Sequence, residues 1–326
     1  MLVVAKILVA GKIPEIGLEL LKDHDVEMYD KEELISIDEL TERVKDKDAL
    51  LSLLSTKVPK EVIDAAPHLK IVANYGAGYD NIDYKYAGEK GIAVTNTPKV
   101  STEATAELTF ALLLAAARRI PEGDTLCRTT GFNGWAPLFF LGREVHGKTI
   151  GIIGLGEIGK AVAKRAKAFG MDVLYTGPNR KLEAESELGA TYVMLEELLQ
   201  TADFITINCA YSPNLHHMID EEQFKMMKKT AYIVNASRGP IMNEAALAHA
   251  LKTNEIEGAA LDVFEFEPKI TEELKELKNV VLAPHVGNAT FETRDAMAEM
   301  AVRNILAVLN GEEPVTPVNQ KVLVTK

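Results

Sequence analysis

One stretch limits the possible folds more than any other: "TIGIIGLGEIGKAVAKRAKAFG", residues 149–170. An apolar, β-rich run leads into Gly154, Gly156 and Gly159, and a helical pattern follows at once. In such a turn the first glycine permits the tight bend, the second lets a pyrophosphate approach the backbone, and the third allows helix and strand to pack closely. The free amides that open the helix suit phosphate. Three spaced glycines alone are a weak sign, since ordinary turns supply them. Strand, turn and helix in this order predict a dinucleotide-binding α/β unit.

The rest of the chain has the same grammar. Apolar runs such as "AKILVAG", "ALLSLLS", "LKIVANYG" and "GIAVTNTP" alternate with helical patterns, and a second series follows: "MDVLYTG", "FITINCA", "AYIVNAS", "GAALDVF" and "NVVLAPH". Such alternation implies parallel strands joined by crossover helices, and runs apolar on both faces imply sheets covered on both sides. Between the series lies "STEATAELTFALLLAAARRI", read as one helix with Ser101 or Thr102 as cap and Arg118 and Arg119 near its C-terminus. A chain of 326 residues exceeds what one core holds efficiently, so two domains are expected.

Composition excludes other classes. A net charge of −12 argues against nucleic acid, whose phosphates need clustered Lys and Arg. No apolar run is long enough to span a membrane, and "MLVVAKILVAGK" reads as a first buried strand rather than a signal peptide. A cytoplasmic protein is expected. Cys127 and Cys209 are expected as buried free thiols. No other His or Cys stands at ligand spacing from His216 and His217, so no metal centre is expected.

The cofactor is addressed by "DVLYTGPNRK", residues 172–181. A carboxylate about 20 positions past the first glycine would accept hydrogen bonds from a ribose 2′-hydroxyl and repel a 2′-phosphate. No acid occurs between Asp172 and Glu183, and Asp172 is expected ahead of the strand. Gly177, Asn179, Arg180 and Lys181 offer space, a donor and two cations, which favours NADP(H) over NAD(H). The plain alternative is a solvated basic turn that discriminates weakly.

Three later strand ends carry ionisable groups: Arg238 in "NASRG", Asp262 and Glu267 in "ALDVFEFEP", and His285 in "APHVGNAT". A guanidinium fork for a carboxylate, an imidazole as proton donor and an acid to orient it are what reduction of a 2-oxo acid requires. Taken singly, an Arg after a strand is commonly a surface ion pair, and a single His is more often packed or solvated than catalytic.

Together with "YGAGYDNID" (75–83), "GIAVTNTP" (91–98) and "TAELTFALLLAAAR" (105–118), these segments resemble the D-isomer-specific 2-hydroxyacid dehydrogenase family over nearly the whole chain. Within it the chain is most similar to the glyoxylate/hydroxypyruvate reductase branch, although Asn288 and Ala77 stand where the family commonly has Ser and Val. The resemblance implies an α/β fold of two Rossmann-like domains with parallel sheets: a discontinuous, flavodoxin-like substrate domain (1–100 and 292–326) and a central dinucleotide-binding domain (101–291). It implies Arg238, Glu267 and His285 as catalytic residues. Leu54, Tyr75, Ala77 and Gly78 join Arg238 and His285 as substrate contacts, with the Ala77 and Gly78 amides on the substrate carboxylate. Candidate cofactor contacts are Thr105, Gly154, Leu155, Gly156, Glu157, Ile158, Gly159, Gly177, Asn179, Arg180, Lys181, Ala236, Asp262 and Gly287, with Asp262 on the nicotinamide carboxamide.

The expected activity is reduction of a small 2-oxo acid to the D-2-hydroxy acid, by a homodimer to which the segment around Trp135 contributes. One alternative is an NAD-dependent D-lactate or other D-2-hydroxyacid dehydrogenase. Another is a nucleotide-sensing binding protein of the same fold, which would carry extra terminal segments; here the sequence ends soon after "PVTPVNQK".

Overall fold

A computed structural model describes residues 4–319. The expected first strand is present from Lys6 to Val9. Residues 1–3 and 320–326, the outer ends of the expected substrate domain, lie outside the described residues. The chain divides into two compact units, Met1–Ser101 with Asn288–Lys326, and Thr102–Gly287. Residues 288–291 thus go with the first unit.

In the first unit, β1 (Lys6–Val9), β2 (Asp25–Met28), β3 (Ala49–Leu53), β4 (Ile71–Tyr75) and β5 (Ala93–Thr95) form one sheet in the order β2-β1-β3-β4-β5. Every pairing is parallel, and the order is that of doubly wound, flavodoxin-like sheets. Ile7 and Val9 pack into the core on one face, Leu8 and Ala10 into the core on the other. That double burial is why the strands read as continuous apolar runs. The helix Phe291–Leu309 covers one face with Met297, Ala298, Ala301, Val302 and Ile305. Burial of Met297, Val302 and Ile305 stabilises the fold by about 1.5–3 kcal/mol each, and each alanine methyl by about 0.8 kcal/mol.

In the second unit, β6 (Thr149–Ile153), β7 (Asp172–Thr176), β8 (Thr191–Tyr192), β9 (Phe204–Ile207), β10 (Tyr232–Asn235), β11 (Gly258–Leu261) and β12 (Val280–Leu282) form a parallel sheet ordered β12-β11-β10-β9-β6-β7-β8. The chain winds outward from β6 through β7 and β8, then returns to the other side of β6 as β9. Open sheets of this kind leave a ligand crevice at the carboxyl ends of the strands where the order reverses, here between β6 and β9.

Three expectations are corrected. The helix opening at Thr102 ends at Ala117, before the arginine pair. Arg119 takes a left-handed φ of 55°, and a separate helix runs from Ile120 to Arg128 with Pro121 in its first turn. A proline cannot continue the earlier helix because it lacks the N–H and crowds the preceding turn. Cys127 is exposed, since that second helix buries none of its residues. Asp172 opens β7 instead of preceding it, level with Thr149 at the start of β6 and so at the end of the sheet away from the glycine turn. Among the described residues, no helix is long and apolar enough to cross a membrane.

Candidate active site

The glycine turn closes β6 at the switch point. Gly154 has φ +97°, and a Cβ there would stand 2.7 Å from the Cys209 amide nitrogen just beyond β9. A Cβ on Gly159 would meet the Gly154 carbonyl oxygen at 2.2 Å, so helix and turn touch through bare backbone. Gly156 instead faces open space, with nothing within 4 Å of its would-be Cβ. It caps the helix Glu157–Ala168 with no side chain bonded to the helix amides. The first-turn amides of a helix have no partner within it, so this turn, with Leu155, Glu157 and Ile158 around it, fits the pyrophosphate of a dinucleotide.

Beyond β7 the basic turn is organised by an acid. The Tyr175 hydroxyl accepts from the Lys181 amide at 2.7 Å and donates to Glu185 Oε1 at 2.6 Å. Arg180 donates through Nε to Glu185 Oε1 and through Nη2 to Oε2, both at 2.9 Å. Gly177 accepts from the Tyr192 hydroxyl, and Asn179 and Lys181 are exposed. Of the two cations the sequence offers here, Arg180 is paired, by an acid two positions past Glu183.

At the end of β10, the buried Asn235 shapes the loop that presents Ala236 and Arg238. Its Oδ1 accepts from the Ser237 amide, and its Nδ2 donates to the Arg238 carbonyl. The Ser237 hydroxyl donates to the Cys209 carbonyl. Gly239 then lies so close to Phe264 that a Cβ would fall 1.9 Å from the Phe264 carbonyl carbon. The loops bearing Arg238 and Glu267 are therefore packed backbone against backbone.

His285 and Glu267 meet directly, Nδ1 to Oε2 at 2.9 Å. Glu267 also accepts from the Phe264 amide at 2.9 Å. Burial by itself would raise the Glu267 carboxyl. The bond to His285 and its charge, the Phe264 amide and the charge of Arg238 outweigh that, leaving the group below its ordinary range. His285 holds a left-handed φ of 53°, a conformation that costs a non-glycine residue about 1–2 kcal/mol. Asp262, 1% exposed, clamps the loop that imposes it by accepting from the Val286 and Gly287 amides, both at 2.8 Å. Burial raises the Asp262 carboxyl despite those bonds. Thr105, also buried, lies beside Gly287.

The remaining expected residues belong to the first unit. Asn74 donates to the Gly78 carbonyl at 2.6 Å and Asn96 to the Ala77 carbonyl at 2.7 Å, turning both carbonyls inward. Among the described residues of the unit, the amides of Ala77 and Gly78 donate to no backbone acceptor. Leu54 packs over Gly76. Tyr75 is buried in the core, and its hydroxyl donates to the Arg294 carbonyl at 2.7 Å. It thus offers a ligand the floor of a loop and no free hydroxyl.

Sequence reasoning missed Asn74, Asn96, Glu185 and Asn235, all polar residues that set a loop without carrying chemistry; the one signal was an Asn inside or ending an apolar strand, in "IVANYG" and "IVNAS". It also missed a cluster joining three loops. The stacked rings of His216 and His217 stand 4.0 Å apart, and their ligand atoms lie within 4.8 Å of one another and of Glu265. His217 Nε2 bonds Glu265 at 2.7 Å. The buried Glu244 accepts from the Glu265 amide and the Thr271 hydroxyl.

A sequence profile of the D-isomer specific 2-hydroxyacid dehydrogenase NAD binding domain matches residues 110–287. A Staphylococcus aureus protein, provisionally named a 2-hydroxyacid dehydrogenase, is 66% identical over 96% of this chain and 99% of its own. A Thermus thermophilus crystal structure aligns with a TM-score of 0.90 at 40% identity, covering 96% of this chain and 99% of that one. The NADPH-dependent glyoxylate/hydroxypyruvate reductase of Sinorhizobium meliloti, solved with NADP and malonate, aligns with a TM-score of 0.83 at 33% identity, covering 96% of each chain. With its two parallel sheets and NAD-binding domain, the chain is an oxidoreductase that belongs to the D-isomer specific 2-hydroxyacid dehydrogenase family.

Proposed function

We propose that this enzyme reduces a small 2-oxo acid, glyoxylate or hydroxypyruvate, to the D-2-hydroxy acid, with NADPH preferred over NADH. The observation that carries the reading is the His285–Glu267 pair at 2.9 Å, an imidazole held by a carboxylate as a proton donor must be. The Sinorhizobium relative, named as an NADPH-dependent reductase of these two acids, supports the substrate class. The cations at Arg180 and Lys181 support the cofactor.

In this reading the first unit is the substrate domain and the second the dinucleotide domain. Gly154, Leu155, Gly156, Glu157, Ile158 and Gly159 hold the pyrophosphate. Gly177, Asn179, Arg180 and Lys181 take the 2′-phosphate, and Thr105, Ala236, Asp262 and Gly287 take the nicotinamide half. The reduced nicotinamide supplies a hydride. The amides of Ala77 and Gly78 hold the substrate carboxylate, as two bare amides suit one anion, and Arg238 polarises the carbonyl. With Nδ1 engaged by Glu267, His285 delivers its Nε2 proton to the developing alkoxide. In the reverse direction the neutral imidazole takes that proton back.

We further read the chain as a homodimer. Trp135 is 87% exposed and Leu138 84%, with Phe132, Phe139 and Leu141 beside them, a run of large apolar groups that a second copy would cover.

Steady-state rates with glyoxylate, hydroxypyruvate, pyruvate and phenylpyruvate, each with NADPH and NADH, test the reading. Glyoxylate or hydroxypyruvate with NADPH should give the highest kcat/KM. Fastest turnover of pyruvate with NADH would favour a D-lactate dehydrogenase, and no turnover of any would favour a nucleotide-sensing role.

A further inference from the structure

The acid that holds Arg180 stands beside the turn assigned to the 2′-phosphate, and it is not free to leave. Tyr175 is fully buried, packed edge-on against Tyr192 with ring centroids 5.4 Å apart. Its hydroxyl fixes Glu185 Oε1 at 2.6 Å. Glu185 is itself 15% exposed on the side chain, against 61% for Arg180. Swinging the carboxylate away would strand a buried phenol without its acceptor. The Arg180 bond above all, and then the Tyr175 hydroxyl, hold the Glu185 carboxyl below its ordinary range, so the charge persists at neutral pH.

The guanidinium has five N–H donors in a rigid fork. Glu185 occupies Nε and one hydrogen of Nη2, which leaves the Nη1 edge for an anion. Glu185 therefore acts on a 2′-phosphate in two opposed ways. It orients the fork, and it places a negative charge one guanidinium away from a doubly charged group. The first effect needs only hydrogen-bond acceptors; the second needs the charge.

We propose that Glu185 is a specificity-determining residue that limits the preference for NADPH: its fixed charge on the back of Arg180 offsets part of the attraction for the 2′-phosphate, so that NADH stays a usable cofactor. The inference rests on the reading above that this turn receives the 2′-phosphate.

Dissociation constants for NADPH and NADH, measured by fluorescence titration of the whole enzyme, test it. Glu185→Gln keeps the size and one amide oxygen, which still accepts from the Tyr175 hydroxyl and from Arg180 Nε, while the charge and the bond from Arg180 Nη2 are lost. The ratio of NADPH to NADH affinity should rise about three- to tenfold, and the gain should shrink in about 0.5 M salt, where a charge effect is screened. Glu185→Asp keeps the charge and should not raise the ratio. A ratio that is unchanged or lowered in Glu185→Gln, or raised equally in Glu185→Asp, overturns the proposal. Arg180→Ala separates the two levels. If it weakens NADPH selectively while Glu185→Gln gives no gain, only the present inference fails. If it weakens both cofactors alike, the turn does not read a 2′-phosphate and both fail.

Discussion

Nδ1 of His285 lies 2.9 Å from Oε2 of Glu267, so the imidazole has one nitrogen committed to the protein and one left for chemistry. The bond joins two loops that are each pinned separately, His285 through the Asp262 clamp on Val286 and Gly287, and Glu267 through the Phe264 amide. Such a pair is set before any ligand arrives, as preorganised catalysis requires.

His285→Gln should therefore lower kcat by about 10²–10⁴-fold while the NADPH dissociation constant is kept; near-normal turnover would remove His285 from the reaction. Its partner gives a pH test. The Glu267 carboxyl is lowered in the fold, so the folded state holds its proton less tightly than the unfolded chain does. The stability gained is fully present above the ordinary value of 4.5 and is lost as pH falls through the lower, folded value. Chemical denaturation of the wild type and Glu267→Gln should show a difference at neutral pH that closes at acid pH. A difference that grows on acidification would reverse the sign and with it the assignment.

Cys209 supplies the alkaline counterpart. Burial pushes its thiol up to about 11 from an ordinary 9.0. Between those values the unfolded thiol ionises and the folded one does not, so stability should fall as pH rises through this window, by up to about 3 kcal/mol. Tyr75, Tyr175 and Tyr232, also pushed up by burial, act in the same direction, so Cys209→Ala should flatten part of the alkaline loss. Thiol labelling at pH 8 should modify the exposed Cys127 ahead of Cys209. Equal labelling rates would contradict the burial on which the argument rests.

The strands were legible because each carries apolar residues on both faces, and the glycine turn because strand, turn and helix adjoin in sequence. His285, Glu267 and Arg238 could be named as ionisable groups at strand ends without any distance being known. What lay beyond reach depended on contacts between distant segments. Asn235 looks like one more strand residue until its side chain is seen bridging Ser237 and Arg238. Arg180 looks like a free cation because Glu185 sits in the next helix, and only the fold of the turn brings them together. Glu265 meets His217 across 48 positions, a separation no ligand-spacing rule covers. Cys127, expected as a buried thiol, is exposed on a helix that buries none of its residues.

Two glycines that look alike in sequence should fail differently. A Cβ on Gly239 would lie 1.9 Å from the carbonyl carbon of Phe264, 2.0 Å from its oxygen and 2.3 Å from the Glu265 nitrogen, all backbone atoms that cannot rotate aside. Gly239→Ala must therefore separate the loop of Arg238 from that of Glu267. A displacement on the order of 1 Å can cost about 10²-fold in rate, and overpacking costs about 1–3 kcal/mol of stability. NADPH binding at the glycine turn should persist, because the three atoms nearest a Gly239 Cβ all belong to Phe264 and Glu265. A Cβ on Gly156 meets nothing within 4 Å, so Gly156→Ala should melt like the wild type. On the proposed cofactor reading it would, however, stand where a pyrophosphate approaches the helix amides, and should weaken NADPH and NADH together. Calorimetric melting and cofactor titration of the two variants check the contrast: if Gly156→Ala binds both cofactors normally, the phosphates do not rest on this turn.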